Sequence, residues 1–409
     1  MSGPSNLRAV AILAAALLSY DVRAAVEIAQ PNDNREPAGR LRNGVLQLAL
    51  EARPARWYPE SEDASGFEIQ AFAERGRLPA VPGPLIRVPE GTRIRASLRN
   101  DLPDTLVLRG FHTRPGAAGD VVSIPAGEVR EFDFPAGAPG TYYYYASTTT
   151  PSRTGRPVYR DAVLHGGFII DARDERHDPG ERIFVLGSIR KDPALDDASS
   201  PRPGFGQTRA YTINGLGWPF TERLVYHVGD EVRWRWINTT YEPHPLHLHG
   251  FYFDVLSVGD GERDTPFAAP MRPRVFTQRV EMGGTIAIRW SPDRDGNWLF
   301  HCHMLDHIGP HLRLRPPPVN ERPGHDHAQM DHVRDGMTGL VLGLTVKPRR
   351  VRRAAPTEAA VREIKLFVQT QAGRFDDKPA HGYALQEGAS PPNTDRVDIP
   401  GPLLVLNAG

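Results

Sequence analysis

Six histidines and the only cysteine of the chain fall in two short segments, His244-Pro245-Leu246-His247-Leu248-His249-Gly250 and His301-Cys302-His303-Met304-Leu305-Asp306-His307. In an extended strand, neighbouring side chains point to opposite faces. His247 and His249 therefore share one side, His301 and His303 do the same, and Cys302 points to the other. On the side of Cys302, His244 and His307 are placed to complete two imidazoles and one thiolate, the trigonal ligand group of a blue-copper electron-transfer centre. The imidazoles of His247, His249, His301 and His303 can then cluster on the far side, so that one strand serves two sites. Zinc explains less of the pattern. A structural zinc generally takes more than one thiolate, and a catalytic zinc on three histidines leaves Cys302 and several other histidines unused. Histidines that merely hydrogen-bond in a core predict neither the pairing two residues apart nor its coincidence with the only Cys.

Such sites need strands, and the sequence is rich in strand signals. Val232, Trp234 and Trp236 alternate with Arg233 and Arg235, the period-2 pattern of a half-buried strand. Ile94, Ala96 and Leu98 repeat it, as do Ile286, Ile288 and Trp290, and Phe132 and Phe134 against Glu131 and Asp133. No comparable stretch keeps helical period for several turns. With 39 Gly and 39 Pro scattered between short apolar runs, the composition predicts an all-β protein of β-sandwich or Greek-key barrel domains. The run Tyr142 to Tyr145 reads as sheet packing rather than as an electron relay.

The 409 residues exceed one ordinary domain and suit two or three. Lys plus Arg and Asp plus Glu both number 49; without a basic excess, a nucleic-acid partner is not expected. Arg8, the apolar Ala9 to Leu18 and the small-residue run ending at Ala24 read as a secretory signal over 1–24. That apolar stretch is too short for a membrane span, which needs about 20 residues, and nothing later is long enough either. The protein is expected to be exported, periplasmic or extracellular.

One domain is placed over 40–172 and a second over 173–315, followed by a Pro- and His-rich linker over 316–336. His325, His327, Met330, His332 and Met337 read as incidental to that linker region rather than as a copper-loading site. Glu363-Ile364-Lys365-Leu366-Phe367 is similar to Glu68-Ile69-Gln70-Ala71-Phe72, Gly339-Leu340-Val341 to Gly44-Val45-Leu46, and Pro400-Gly401-Pro402-Leu403-Leu404 to Pro82-Gly83-Pro84-Leu85-Ile86. On these matches, 337–409 is expected to begin a further, incomplete copy of the first domain.

The two histidine segments closely resemble the C-terminal copper signatures of multicopper oxidases, the laccase-like family of linked cupredoxin domains. Pro82-Gly83-Pro84-Leu85-Ile86 and Gly140-Thr141-Tyr142 resemble parts of that family's first domain. The resemblance implies tandem cupredoxin-like Greek-key sandwiches with a partial third repeat. It also implies copper as the cofactor, with a type 1 copper on His244, Cys302 and His307, and Leu312, ten residues after the Cys, at the axial position as a non-ligand. It gives His247, His249, His301 and His303 to the type 2 and type 3 coppers that reduce dioxygen, and makes the imidazole edge of His307 the point where electrons arrive.

The chain departs from the family where the first domain should supply two further His-x-His pairs. The matching positions read Gly110-Phe111-His112 and Tyr145-Ala146-Ser147, so His112 alone is kept. Gly cannot hold copper, and Tyr or Ser hydroxyls are poor substitutes near neutral pH. The expectation is an oxidoreductase taking single electrons from a phenol-like molecule or a metal ion and passing them to dioxygen. Its trinuclear site would be completed by a partner domain or subunit. A type 1 electron carrier is the alternative. A nitrite-reductase-like enzyme ranks third, because that family places its blue copper in the first domain.

Overall fold

The computed structural model describes residues 26–349 apart from 62–63, 65, 117–119, 149–158, 174–177, 192–207, 310–311, 313 and 315–335, together with 364–375, 378–386, 397, 401–402 and 404. The leader read over 1–24 and the histidines and Met330 of the linker region lie outside the described residues. Among the described residues all regular structure is strand, save short 3₁₀ turns. No helix among the described residues is long and apolar enough to cross a membrane.

Residues 26–349 form one unit containing two sandwiches. In the first, Val45–Trp57 pairs antiparallel with Phe67–Glu74 and parallel with Arg93–Asn100, which carries Val129–Pro135 at its edge. The facing sheet runs Val121–Ile124, Leu106–Arg109, Gly140–Ser147, His165–Asp171, Gly83–Pro89. The alternation read from sequence is borne out: Ile94, Ala96 and Leu98 are buried, and Phe134 is buried between exposed neighbours. Tyr142 and Tyr144 fill the core between the sheets, and the Tyr144 hydroxyl donates to Pro84 O at 2.7 Å. The tyrosine run is therefore sheet packing.

The second sandwich has one sheet in the order Thr208–Ile213, Arg182–Lys191, Val232–Asn238, Thr285–Trp290, Phe253–Gly259, Asp264–Pro266. The other runs Arg223–His227, Val341–Lys347, Gly296–Cys302, His244–Leu248, Thr277–Val280. Its core is aromatic. Trp236 stacks between Phe184, 4.5 Å away centroid to centroid, and Phe300 at 4.7 Å, while Trp234 meets Trp290 and Phe300 edge-on. Burying side chains of this size contributes about 1.5–3 kcal/mol each, and ring pairs in these geometries add to it. Such a core holds the two histidine-bearing strands rigidly. Between the sandwiches, Leu85 and Ile169 of the first pack on Ile183, Val185 and Ile237 of the second.

One expectation needs correction. Val341–Lys347, read as the opening of a further domain, pairs antiparallel with Gly296–Cys302 and parallel with Arg223–His227. It holds the place that His165–Asp171 holds in the first sandwich, between Gly140–Ser147 and Gly83–Pro89. Without this strand the Cys302 strand would be left with an unpaired edge and an exposed apolar face, which is why the segment belongs to the second sandwich. The linker over 316–336 thus lies inside the second sandwich in chain order. Residues 350–409 form a separate unit, in which Lys365–Phe375 and Lys378–Gln386 make a hairpin.

Candidate metal centre

Cys302 ends its strand and pairs in register with Leu246 of the neighbouring His244–Leu248 strand. His244 opens that neighbour, and a 3₁₀ turn over Leu305–His307 swings His307 back beside them. The turn is pinned from behind. Gly339, at φ +69°, brings its backbone so close to His307 O that a Cβ there would lie only 2.4 Å from it, a position only glycine fills without strain. The three side chains converge: His244 Nδ1 and His307 Nδ1 are 3.0 Å apart, and Cys302 Sγ lies 3.6 Å from the first and 3.5 Å from the second. All three residues are fully buried.

The outer ring nitrogens are held as well. His244 Nε2 lies 2.7 Å from Thr240 Oγ1, whose own proton goes to Asn238 Oδ1 or Glu242 O. The hydroxyl therefore accepts from His244, which fixes the proton on Nε2 and leaves the Nδ1 lone pair aimed at Cys302. His307 Nε2 lies 3.1 Å from Glu242 Oε2, a charge contact rather than an aligned hydrogen bond. Such partners orient ligating imidazoles and set their tautomers. Burial, with the neighbouring His307, pulls His244 down to about 3, and burial lowers His307 despite Asp306 and Glu242. Both rings are thus neutral ligands at ordinary pH. Burial pushes the Cys302 thiol up to about 12, so its proton leaves only when a metal ion takes its place. Two neutral imidazoles and one displaceable thiol proton, shut away from water, suit copper.

Three residues around this centre escaped the sequence reading. The Tyr211 ring lies 4.4 Å from that of His307, and its hydroxyl donates to Glu242. Arg209 donates to the other Glu242 oxygen at 3.0 Å and lies over the Tyr211 ring. Burial raises the Glu242 carboxyl, but the Tyr211 hydrogen bond and the Arg209 charge outweigh it and hold the group below its ordinary value. Glu242 is therefore an anion against the ligand ring. The edge of His307, expected as the point where electrons arrive, does not itself reach solvent: its side chain is 1 % exposed, while Glu242, in contact with its Nε2, is 31 % exposed. Only the place of Glu242 two residues before His244 could have marked it in the sequence. Tyr211 and Arg209 arrive from a distant strand. Leu312 is half-buried and packs on the core cluster that includes Cys302, and it offers no donor atom.

On the opposite face of the same strands, one donor atom from each of His247, His249 and His301 lies within 4.8 Å of the others. His247 pairs in register with His301 on one side and with Thr277 on the other. His303 is exposed; its ring centre is 5.2 Å from that of His247 and 5.9 Å from that of His301, but it is not one of the converging three. Burial lowers all three of the converging rings. The neighbouring histidines add to the effect and bring His247 to about 4.

His112 is not brought to this group. Its Nε2 lies 2.8 Å from Glu262 Oε2, beside the fully buried Arg114. Tyr145 pairs with Arg109 as His301 pairs with His247. With Tyr145 matched to His301, Arg109 takes the place of His247; the strand ends there, and beyond Gly110, at φ +90°, Phe111 turns into the core against Phe132, Phe134 and Tyr144. The strand register thus puts Arg109, one residue before Gly110, opposite Tyr145, and register is invisible in a single sequence. Arg109 lies over the Tyr145 ring, so the first sandwich presents a cation and aromatic surface where the second presents imidazoles.

Family models described as multicopper oxidase match residues 79–175 and 191–315. A probable nitrite reductase-hydroxylamine oxidoreductase fusion protein of Kuenenia stuttgartiensis is 26 % identical over 278 residues, 65 % of this chain and 30 % of that protein. An iron transport multicopper oxidase of Schizosaccharomyces pombe is 36 % identical over 169 residues, 37 % of this chain and 27 % of its own. The chain thus spans less than a third of the length of these relatives. Among solved structures, a blue copper oxidase of Nitrosomonas europaea superposes with a TM-score of 0.54 at 19 % identity, covering 73 % of this chain and 85 % of that one. A multicopper oxidase, mgLAC, gives 0.53 at 17 %, covering 76 % and 89 %; both likenesses concern the fold. With both sandwiches matched by these family models and similar in fold to these structures, this chain belongs to the multicopper oxidase family.

Proposed function

We propose that the protein is an oxidase that accepts single electrons from a small reducing molecule or a metal ion at the His244, Cys302 and His307 centre. The electrons go to dioxygen at the histidine edge, where four of them with four protons give two waters. The imidazoles that a trinuclear copper site still needs come from outside this chain segment, from a partner domain or subunit. Copper at these residues supplies the one-electron redox chemistry. The observation that carries the reading is that Cys302 and His301 are consecutive residues of one strand whose side chains belong to two different donor sets, one on each face of the sheet. The peptide between them is the shortest covalent path from one set to the other.

The chain's own residues define each end of that path. At the donor end, the aromatic core excludes water from the Cys302 thiol, and the half-exposed carboxylate of Glu242 puts a negative charge between His307 and the surface. That charge favours donors that are cations or that offer a hydroxyl, which fits a metal ion or a phenol. At the acceptor end the half-buried His247 and His249 keep the edge open to a small molecule. The export signal read over 1–24 supports a periplasmic or extracellular location for this chemistry.

A second reading, an electron carrier without oxygen reduction, is favoured by Arg109, Tyr145 and Ser147 standing where the first sandwich would need histidines. Oxygen consumption by the copper-loaded protein, measured with a panel of phenols and low-potential metal ions, separates the two. Uptake with at least one donor is expected of the oxidase; a blue protein that exchanges electrons yet consumes no oxygen with any donor is the carrier.

A further inference from the structure

We propose that the histidine edge is by itself a binding site for one copper ion, held by His247, His249 and His301. The described residues then offer places for two coppers, rather than the four of a complete oxidase or the single one of a blue carrier. This rests on the functional reading above, since it concerns the acceptor end of the same path.

The donor count comes first. Three coppers, each needing at least two imidazoles, would call for six, and the described edge offers four, one of them the exposed His303. The first sandwich contributes none: Arg109 and Tyr145 face each other where His247 and His301 do in the second, Phe111 is buried in the core, Ser147 stands where His303 would, and His112 is engaged with Glu262. The Arg109 guanidinium lying over the Tyr145 ring repels a cation there. A full cluster does not fit these residues, whereas one ion does.

Geometry and tautomers support the single site. Nitrogens bound to one ion at about 2 Å lie within about 4 Å of each other, so a set already within 4.8 Å closes on an ion by small ring rotations. His301 Nδ1 lies 2.7 Å from the carbonyl oxygen of Cys302, which can only accept, so Nδ1 carries the proton and Nε2 has the free lone pair. His247 Nδ1 is engaged by Thr277 Oγ1 at 2.8 Å, which likewise leaves its Nε2 for a metal. His249 Nε2 faces His301 Nε2 at 2.9 Å, two nitrogens aimed at a common point. Outer partners that fix the ring this way are what distinguishes a built metal site from a chance cluster. Three imidazoles leave a coordination position open on the half-exposed side, suited to a small anion or a small neutral molecule.

The test is copper content and electron paramagnetic resonance of the full-length protein titrated with cupric ion. Two coppers per chain are expected, both fully detected. One should show the narrow hyperfine splitting of a thiolate-bound ion and the other the wide splitting of an ordinary nitrogen-bound ion, the latter alone shifted by azide. His249→Ala should remove the second signal and leave the blue one. Thr277→Val, which keeps all ligands, should weaken the second site alone by about 10- to 100-fold. One copper per chain at saturation overturns the inference, and so do four coppers with a spin-silent pair. The two readings fail separately. A second signal without oxygen uptake from any donor sinks the oxidase and leaves the two-copper chain standing. Oxygen uptake by a protein lacking that signal does the reverse.

Discussion

His301 Nδ1 lies 2.7 Å from the carbonyl oxygen of Cys302, so the backbone of the residue whose thiol faces one centre orients the imidazole facing the other. A change in how Cys302 is held is thereby felt at His301 without any side chain between them. The protein's response to substitution follows from this arrangement and from the groups that surround it.

Cys302→Ser replaces the soft thiolate with a hydroxyl that stays protonated and binds copper weakly. The intense visible absorption expected of the copper-loaded protein should disappear, and the chain has no second cysteine to restore it. A visible spectrum before and after copper addition checks this. The nitrogen-bound signal from the opposite face should survive.

Glu242 sets the potential of the buried centre. Its negative charge, 3.1 Å from His307 Nε2, favours the cupric over the cuprous state. Glu242→Gln keeps the shape and removes the charge, and should raise the reduction potential by roughly 50–100 mV, on the order of 1–2 kcal/mol of Coulomb energy. Leu312→Met acts in the opposite sense, since a thioether near the metal stabilises the cupric ion and should lower the potential. Redox titration of the blue band reads both. A Leu312→Met protein with an unchanged or higher potential would remove Leu312 from the axial position.

Arg114 links the sandwiches. Its side chain is fully buried and donates to Gly110 O at 3.0 Å and Tyr143 O at 2.9 Å within the first, and to Gly261 O at 2.6 Å in the second, beside Glu262. Burial lowers its pKa, and the charge of Glu262 opposes the loss. Arg114→Ala strands three carbonyls and a carboxylate, and should cost about 3–5 kcal/mol in urea unfolding. Arg114→Lys, lacking the planar fork, should recover only part of it.

His165 is buried, and neither ring nitrogen has a hydrogen-bond partner. Burial lowers its pKa from 6.5 to about 3 in the folded protein. As pH falls below 6.5 the unfolded chain takes up a proton that the folded chain refuses until about pH 3. The stability contributed above pH 6.5 is therefore lost progressively across that window. His165→Phe cannot titrate. The difference in unfolding free energy between variant and wild type should shift in the variant's favour by about 2–3 kcal/mol between pH 7.5 and 4.5. A difference independent of pH would show that the ring is not held neutral.

Much of this protein was decided within its sequence. The alternation of Val232, Trp234 and Trp236 requires a strand with one buried face. The spacing of His301, Cys302 and His303 requires opposite faces for the thiol and the imidazoles, because side-chain direction along a strand depends only on neighbouring residues. Tertiary structure decided everything that depends on which strands become neighbours. Register alone put Arg109 opposite Tyr145, as His247 stands opposite His301, and packing drew Phe111 into the core. Pairing across a long segment drew Val341–Lys347 into the sheet that carries Cys302. Packing brought Tyr211, Arg209 and Glu242 onto His307 and closed its edge to solvent. These are contacts between residues far apart in the chain, fixed by burial of a shared core, and no local pattern encodes them.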